Sequence, residues 1–244
     1  MTFLERIKEK STDIYTGKPL TLAFLGDSVT HGCFELYPLD GGGVGVAYDT
    51  EAVYHNQIRR ILGYLYPQLP LAIVNAGISG ATARQGRERL ETDVLSYAPD
   101  LTVVCYGLND CKRGMEQLEA YVNNLSDIFT RLQAADSEVI FMTPNLLGDR
   151  VASNLTDSTL RRIAEDVCTE KNRDNLEAYL EAAKVLCHKK DIRVCDCHAL
   201  WKQMSAAGVD ITAMLSNEIN HPTRELHKMF AYELVKLMLT EIND

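Results

Sequence analysis

Short, almost wholly apolar runs alternate along the chain with longer stretches in which apolar residues recur every three or four positions. The runs are Leu20 to Leu25, Leu71 to Asn75, Leu101 to Tyr106, Val139 to Thr143 and Ile192 to Cys195. Runs this short, with little polar alternation, suit parallel strands buried on both faces. Pro19, Pro70 and Pro99 sit just before three of them, where a missing N–H does little harm. Between the runs the spacing predicts helices. The cleanest stripe is Leu118, Tyr121, Val122, Leu125, Ile128, Phe129 and Leu132, with polar residues opposite. A second runs through Tyr54, Ile58, Ile61, Leu62 and Leu65, and a weaker third contains Leu90, Val94 and Leu95. A last helix is expected to start at Pro222, a favoured first helical position, and to bury Leu226, Met229, Phe230, Leu234, Leu237 and Met238. Five strands with helices between them predict an α/β fold: a three-layer α/β/α sandwich around a five-stranded parallel sheet with right-handed crossovers.

Two segments depart from this alternation. Tyr37 to Asp49 holds Gly41, Gly42, Gly43 and Gly45 and reads as a mobile loop beyond the first strand. Asn145 to Thr159 is a long polar connection into a helical stretch, Leu160 to Cys187, interrupted around Lys171 to Asn175. Both follow the carboxyl ends of strands, so both are expected to frame the mouth of a site. No internal repeat or low-complexity tract is present. The expectation is one domain over residues 1–244, with 1–18 as an N-terminal helical extension.

The composition is ordinary for a globular chain, 46% hydrophobic and 24% charged. A net charge of −9 argues against nucleic acid or an anionic membrane as partner. The first residues, MTFLERIKEKSTDIYTGK, are too polar for a signal peptide, and no window reaches transmembrane length, so a cytoplasmic protein is expected. Seven cysteines, odd in number and irregular in spacing, do not read as a disulfide framework. Cys195-Asp196-Cys197-His198 is too tightly spaced for a zinc pair and has no second cluster to complete it. Cys195 instead closes an apolar run and reads as a buried strand cysteine.

Chemistry concentrates at the ends of the runs. GDSVT at 26–30, NAGISG at 75–80 and GLND at 107–110 each close one, and EINHP at 218–222 precedes the last helix. Open α/β sheets bind ligands at the carboxyl ends of their strands. Ser28, eased through a tight turn by Gly26, can present both its Oγ and its backbone N–H; a helix N-cap is its plain structural alternative. Gly77 lets a backbone N–H approach a substrate oxygen, and Asn109 offers a non-titrating amide donor, although either could be an ordinary turn residue. His221, in a loop, has the right pKa class for a general base. Glu218 stands three residues before it, where a carboxylate could orient the imidazole. His227 lies inside the last helix and reads as structural. Asp27, His31 and Ile78, next to Ser28 and Gly77, are candidate substrate contacts.

Taken together these blocks resemble the SGNH hydrolases of the GDSL lipase/esterase/acylhydrolase superfamily. The resemblance extends through PDLTVVCYGLND at 99–110 and HPTRELHKMFA at 221–231, and covers about residue 19 to the C-terminus. It implies a flavodoxin-like sandwich and a serine esterase. Ser28 is then the nucleophile, His221 the base, and Ser28, Gly77 and Asn109 the oxyanion donors, with no metal or organic cofactor. The family usually has aspartate where this chain has Glu218; some members use a backbone carbonyl in that place. The implied substrate is a small-molecule carboxylic ester, with a short acyl group such as acetyl on a carbohydrate favoured. A thioesterase, lysophospholipase or acyltransferase could use the same site, and a non-catalytic binding domain is the rival from another class.

Overall fold

The apolar runs become the strands of one parallel sheet. The computed structural model describes residues 1–240. In chain order the strands are β1 (Leu20–Gly26), β2 (Cys33–Pro38), β3 (Val44–Tyr48), β4 (Leu71–Gly77), β5 (Leu101–Cys105), β6 (Glu138–Met142) and β7 (Arg193–Cys195). The helices are α1 (Phe3–Thr12), α2 (Ser28–His31), α3 (Tyr54–Leu65), α4 (Ala83–Asp93), α5 (Leu118–Ala134), α6 (Ser158–Val167), α7 (Glu170–Lys189), α8 (Cys197–Ala206) and α9 (Arg224–Met238).

The sheet order is β4-β1-β5-β6-β7, with every pairing parallel. β1 and β5 are buried along their whole length, whereas the edge strands β4 and β7 are only partly covered. That gradient is why the central runs are almost wholly apolar. α3 packs on α9, and α4, α5 and α7 pack in series. Right-handed crossovers place these two groups on opposite faces, completing the three layers. β1 is followed by β4 on one side while β5 lies on the other. The order therefore reverses beside β1, which opens a crevice at the carboxyl ends of β1 and β5.

α1 closes the opposite end. Phe3 and Ile7 are fully buried, and Arg6 pairs with Asp100 and Asp136 at the amino ends of β5 and β6. No helix among the described residues is long and apolar enough to cross a membrane.

Three expectations are corrected. Tyr37 to Asp49 is mostly strand: β2 and β3 form an antiparallel hairpin, and only the turn around Gly41, Gly42 and Gly43 has positive φ. Gly45 belongs to β3, where the Tyr37 ring lies over it and fills the space a side chain would take. The last helix starts at Arg224, because Pro222 is held in an isolated bridge with Leu215. The break in the long helical stretch falls at Cys168 and Thr169, where the Thr169 side chain accepts the Asn172 N–H and starts a new helix.

Candidate active site

β1 ends at Gly26 and the chain turns at once into α2. A Cβ on Gly26 would lie 2.1 Å from Thr30 Oγ1 and 3.0 Å from the Cys105 carbonyl oxygen, so only glycine lets this turn close against β5. Asp27 caps α2: its Oδ1 accepts the Val29 N–H at 3.0 Å. Asp27 is 1% exposed, and its carboxyl supports the turn that carries Ser28. Burial pushes its pKa up to about 7, with the charge of Asp110 adding to the effect. Ser28 is the first residue of α2, so its N–H is one of the unpaired donors of a helix start.

His221 stands in a loop built around Asn217. The Asn217 Oδ1 accepts the backbone N–H groups of Ile219, Asn220 and His221 at 3.1, 2.9 and 2.9 Å. Asn145 Nδ2 donates to the Asn220 carbonyl at 2.9 Å, tying the loop to the end of β6. The imidazole then lies between two partners. Nε2 is 3.0 Å from Ser28 Oγ and Nδ1 is 2.9 Å from the Phe34 carbonyl oxygen. A carbonyl only accepts, so Nδ1 carries the proton and the Nε2 lone pair faces the serine hydroxyl. Burial pushes the imidazole pKa down to about 4, and the Phe34 carbonyl works weakly in the other direction.

Glu218 is not brought to this ring. The Asn217 turn holds residue 218 in the left-handed region, at φ 57°, and its Oε1 accepts from Asn154 Nδ2 at 2.6 Å. The expected carboxylate partner of His221 is thereby corrected, because the Phe34 carbonyl occupies that place. Gly77 is also arranged differently from expectation. Its N–H donates to Asn75 Oδ1 at 3.0 Å. Its glycine character serves packing, since a Cβ there would lie 2.2 Å from the His31 backbone nitrogen. In the same NAGISG block Gly80 has φ +77°, open space around it, and an N–H with no acceptor among the described residues. Asn109 lies close by: its Nδ2 donates to the Ala81 carbonyl at 3.1 Å, leaving its second amide hydrogen available.

Of the other candidates, His31 is half-buried and its Nδ1 accepts the Ser79 N–H at 3.2 Å. Ile78 is exposed, with its N–H donated to the Gly26 carbonyl at 3.1 Å. His227 is fully buried in α9, where its Nδ1 accepts the Tyr54 N–H. The residues missed by sequence reasoning are Phe34, Asn75, Asn217 and Gly80. Asn217 alone carried a readable signal, a turn-forming Asn four positions before the histidine.

Residues 24–229 match the GDSL-like lipase/acylhydrolase family. The chain belongs to that family. It is accordingly a hydrolase of ester bonds. An acetylxylan esterase of Geobacillus stearothermophilus is 27% identical over 179 residues, spanning 68% of this chain and 80% of the relative. The fold of this GDSL-family hydrolase matches the crystal structure of Axe2, an acetylxylan esterase from Geobacillus stearothermophilus. That match has a TM-score of 0.66 at 22% identity, and covers 92% of this chain and 96% of that one. LAE5, an alpha/beta hydrolase enzyme from the metagenome of Lake Arreo, matches with a TM-score of 0.66 at 20% identity, over 93% and 99% of the two chains.

Proposed function

We propose that this chain hydrolyses short acyl esters, acetyl groups on carbohydrate or other small alcohols, through an acyl-enzyme on Ser28. The observation that carries the reading is the line from Ser28 Oγ through the His221 ring to the Phe34 carbonyl. His221 Nε2 takes the Ser28 proton as Oγ attacks the ester carbonyl, and the imidazolium so formed keeps its Nδ1–H on Phe34. The Ser28 and Gly80 N–H groups and the free amide hydrogen of Asn109 are assigned to the developing oxyanion. His221 returns the proton to the departing alcohol. Water then attacks the acyl-enzyme and gives a proton to His221, which returns it to Ser28 Oγ as the acid leaves. These steps need no metal or organic cofactor.

Two observations favour a small acyl group. Ser28 and His221 are only 4% and 5% exposed, which leaves little room beside the nucleophile. Relatives of the same family are acetylxylan esterases. Seven free cysteines, six of them buried, support a reducing compartment and hence a cytoplasmic site of action.

The test is hydrolysis of p-nitrophenyl acetate, butyrate and octanoate by wild type and Ser28→Ala. The reading predicts rates that fall with chain length and vanish in the variant. Equal rates for wild type and Ser28→Ala on all three esters would overturn it.

A further inference from the structure

A backbone carbonyl can orient an imidazole only if the strand that bears it is held in place. Phe34 lies in β2, which among the described residues pairs only with β3 and stands outside the main sheet. His221 lies just before α9. Two side chains of α9 reach the hairpin: the His227 ring lies 5.0 Å from the Phe34 ring, and Arg224 takes the polar groups. Arg224, the first residue of α9, donates from Nη1 and Nη2 to Glu35 Oε1 and Oε2 at 2.5 and 3.1 Å. Its Nε donates to Asp49 Oδ2 at 2.8 Å. Its guanidinium carbon lies 4.3 Å from the centre of the Phe34 ring. Glu35 follows Phe34 in β2, and Asp49 follows β3 directly. Arg224 therefore grips both strands of the hairpin, and also the ring of the residue whose carbonyl meets His221.

We propose that Arg224 is a positioning residue: its fork to Glu35 and Asp49 clamps the β2–β3 hairpin so that the Phe34 carbonyl stays on His221 Nδ1. The inference rests on the reading of Ser28 and His221 as nucleophile and base. Chemistry explains why arginine suits the place. Only a planar fork can meet one carboxylate with two parallel N–H groups, a second carboxylate with a third, and an aromatic face with its plane. A lysine could hold one carboxylate at a time. The assignment also gives a carbonyl-based relay what it otherwise lacks. A carboxylate attracts the imidazolium from a distance, whereas a neutral carbonyl contributes only at hydrogen-bond range.

The experiment measures kcat and KM on p-nitrophenyl acetate for wild type, Arg224→Met, Arg224→Lys and the double variant Glu35→Gln/Asp49→Asn. The far-downfield proton resonance of the His221 Nδ1–H is recorded on each, and Ser28→Ala serves as control. Arg224→Met keeps the stem over Phe34 and removes the fork. The clamp predicts a kcat loss on the order of 10²-fold with KM little changed, as expected for a base displaced by about 1 Å. It predicts loss or broadening of the Nδ1–H resonance and partial recovery of both in Arg224→Lys. The double variant, which leaves Arg224 in place, should show the same two losses. Should Arg224→Met fail to fold, the double variant alone decides. A resonance that stays sharp in these variants, or a kcat within twofold of wild type, overturns the clamp. Full activity in Ser28→Ala overturns the underlying reading instead.

Discussion

Replacing Glu218 by glutamine separates two accounts of how His221 is held. Where a buried carboxylate orients the histidine of a serine triad, converting it to the amide costs roughly 10⁴-fold in kcat, because the ring adopts the wrong tautomer. Here the His221 Nδ1 already has its acceptor, the Phe34 carbonyl at 2.9 Å. The Glu218 carboxylate is engaged by Asn154 at 2.6 Å on a half-buried part of the loop. Glutamine keeps an oxygen for Asn154 and changes nothing within reach of the ring. The expected effect on the barrier is about 0.4 kcal/mol or less, that is, within about twofold in kcat. The two accounts thus differ by more than three orders of magnitude, far beyond the error of a steady-state assay. The measurement is kcat on p-nitrophenyl acetate near pH 7 for wild type, Glu218→Gln and Glu218→Ala. A loss of a hundredfold or more in Glu218→Gln, with folding unchanged by circular dichroism, would refute the carbonyl relay and restore Glu218 as its third member.

The remaining predictions follow from the same geometry. His221 must be neutral to act as base, and burial lowers its pKa to about 4. Followed by NMR, the His221 ring should therefore stay neutral as pH falls from 7 to about 5 and take up its proton near 4; a His221 titration near 6.5 would contradict this. Asn217→Ala removes the shared acceptor of three backbone N–H groups. It should destabilise the fold by about 2–3 kcal/mol in urea titration and lower kcat as well. Asn109→Ala should lower kcat by roughly 10²–10³-fold with little effect on stability. Gly77→Ala should abolish or strongly destabilise folding in thermal melts, because its Cβ meets the His31 backbone at 2.2 Å.

How much of this was legible depends on where each signal resides. The central strands were readable because burial on both faces leaves β1 and β5 almost no polar positions. Ser28, Asn109 and His221 were readable because each is a side chain with a chemistry of its own, set at an element's end. The hairpin was obscured because the glycines of its turn run on into β3, where Gly45 breaks the alternation that would mark a strand. Phe34 could not be read, since its contribution is a carbonyl that every residue possesses and only the fold brings to His221. That the Gly77 N–H is taken and the Gly80 N–H, among the described residues, is not was hidden for a related reason. Both lie in NAGISG, and it is the Asn75 side chain that takes the Gly77 N–H. Glu218 stood at the right spacing, but the Asn217 turn sets its backbone at φ 57° with its carboxylate on Asn154.

The central claim is that Ser28 is a nucleophile activated by His221, and a fluorophosphonate tests it most directly. This reagent forms a stable bond only with an activated serine, whatever the natural ester. Wild type, Ser28→Ala and His221→Ala are incubated with it, digested and mapped by mass spectrometry. The account predicts one phosphonylated site, Ser28, in wild type, with no labelling in Ser28→Ala and labelling slowed by orders of magnitude in His221→Ala. Wild type left unlabelled, or labelled at another residue and equally in Ser28→Ala, would contradict it.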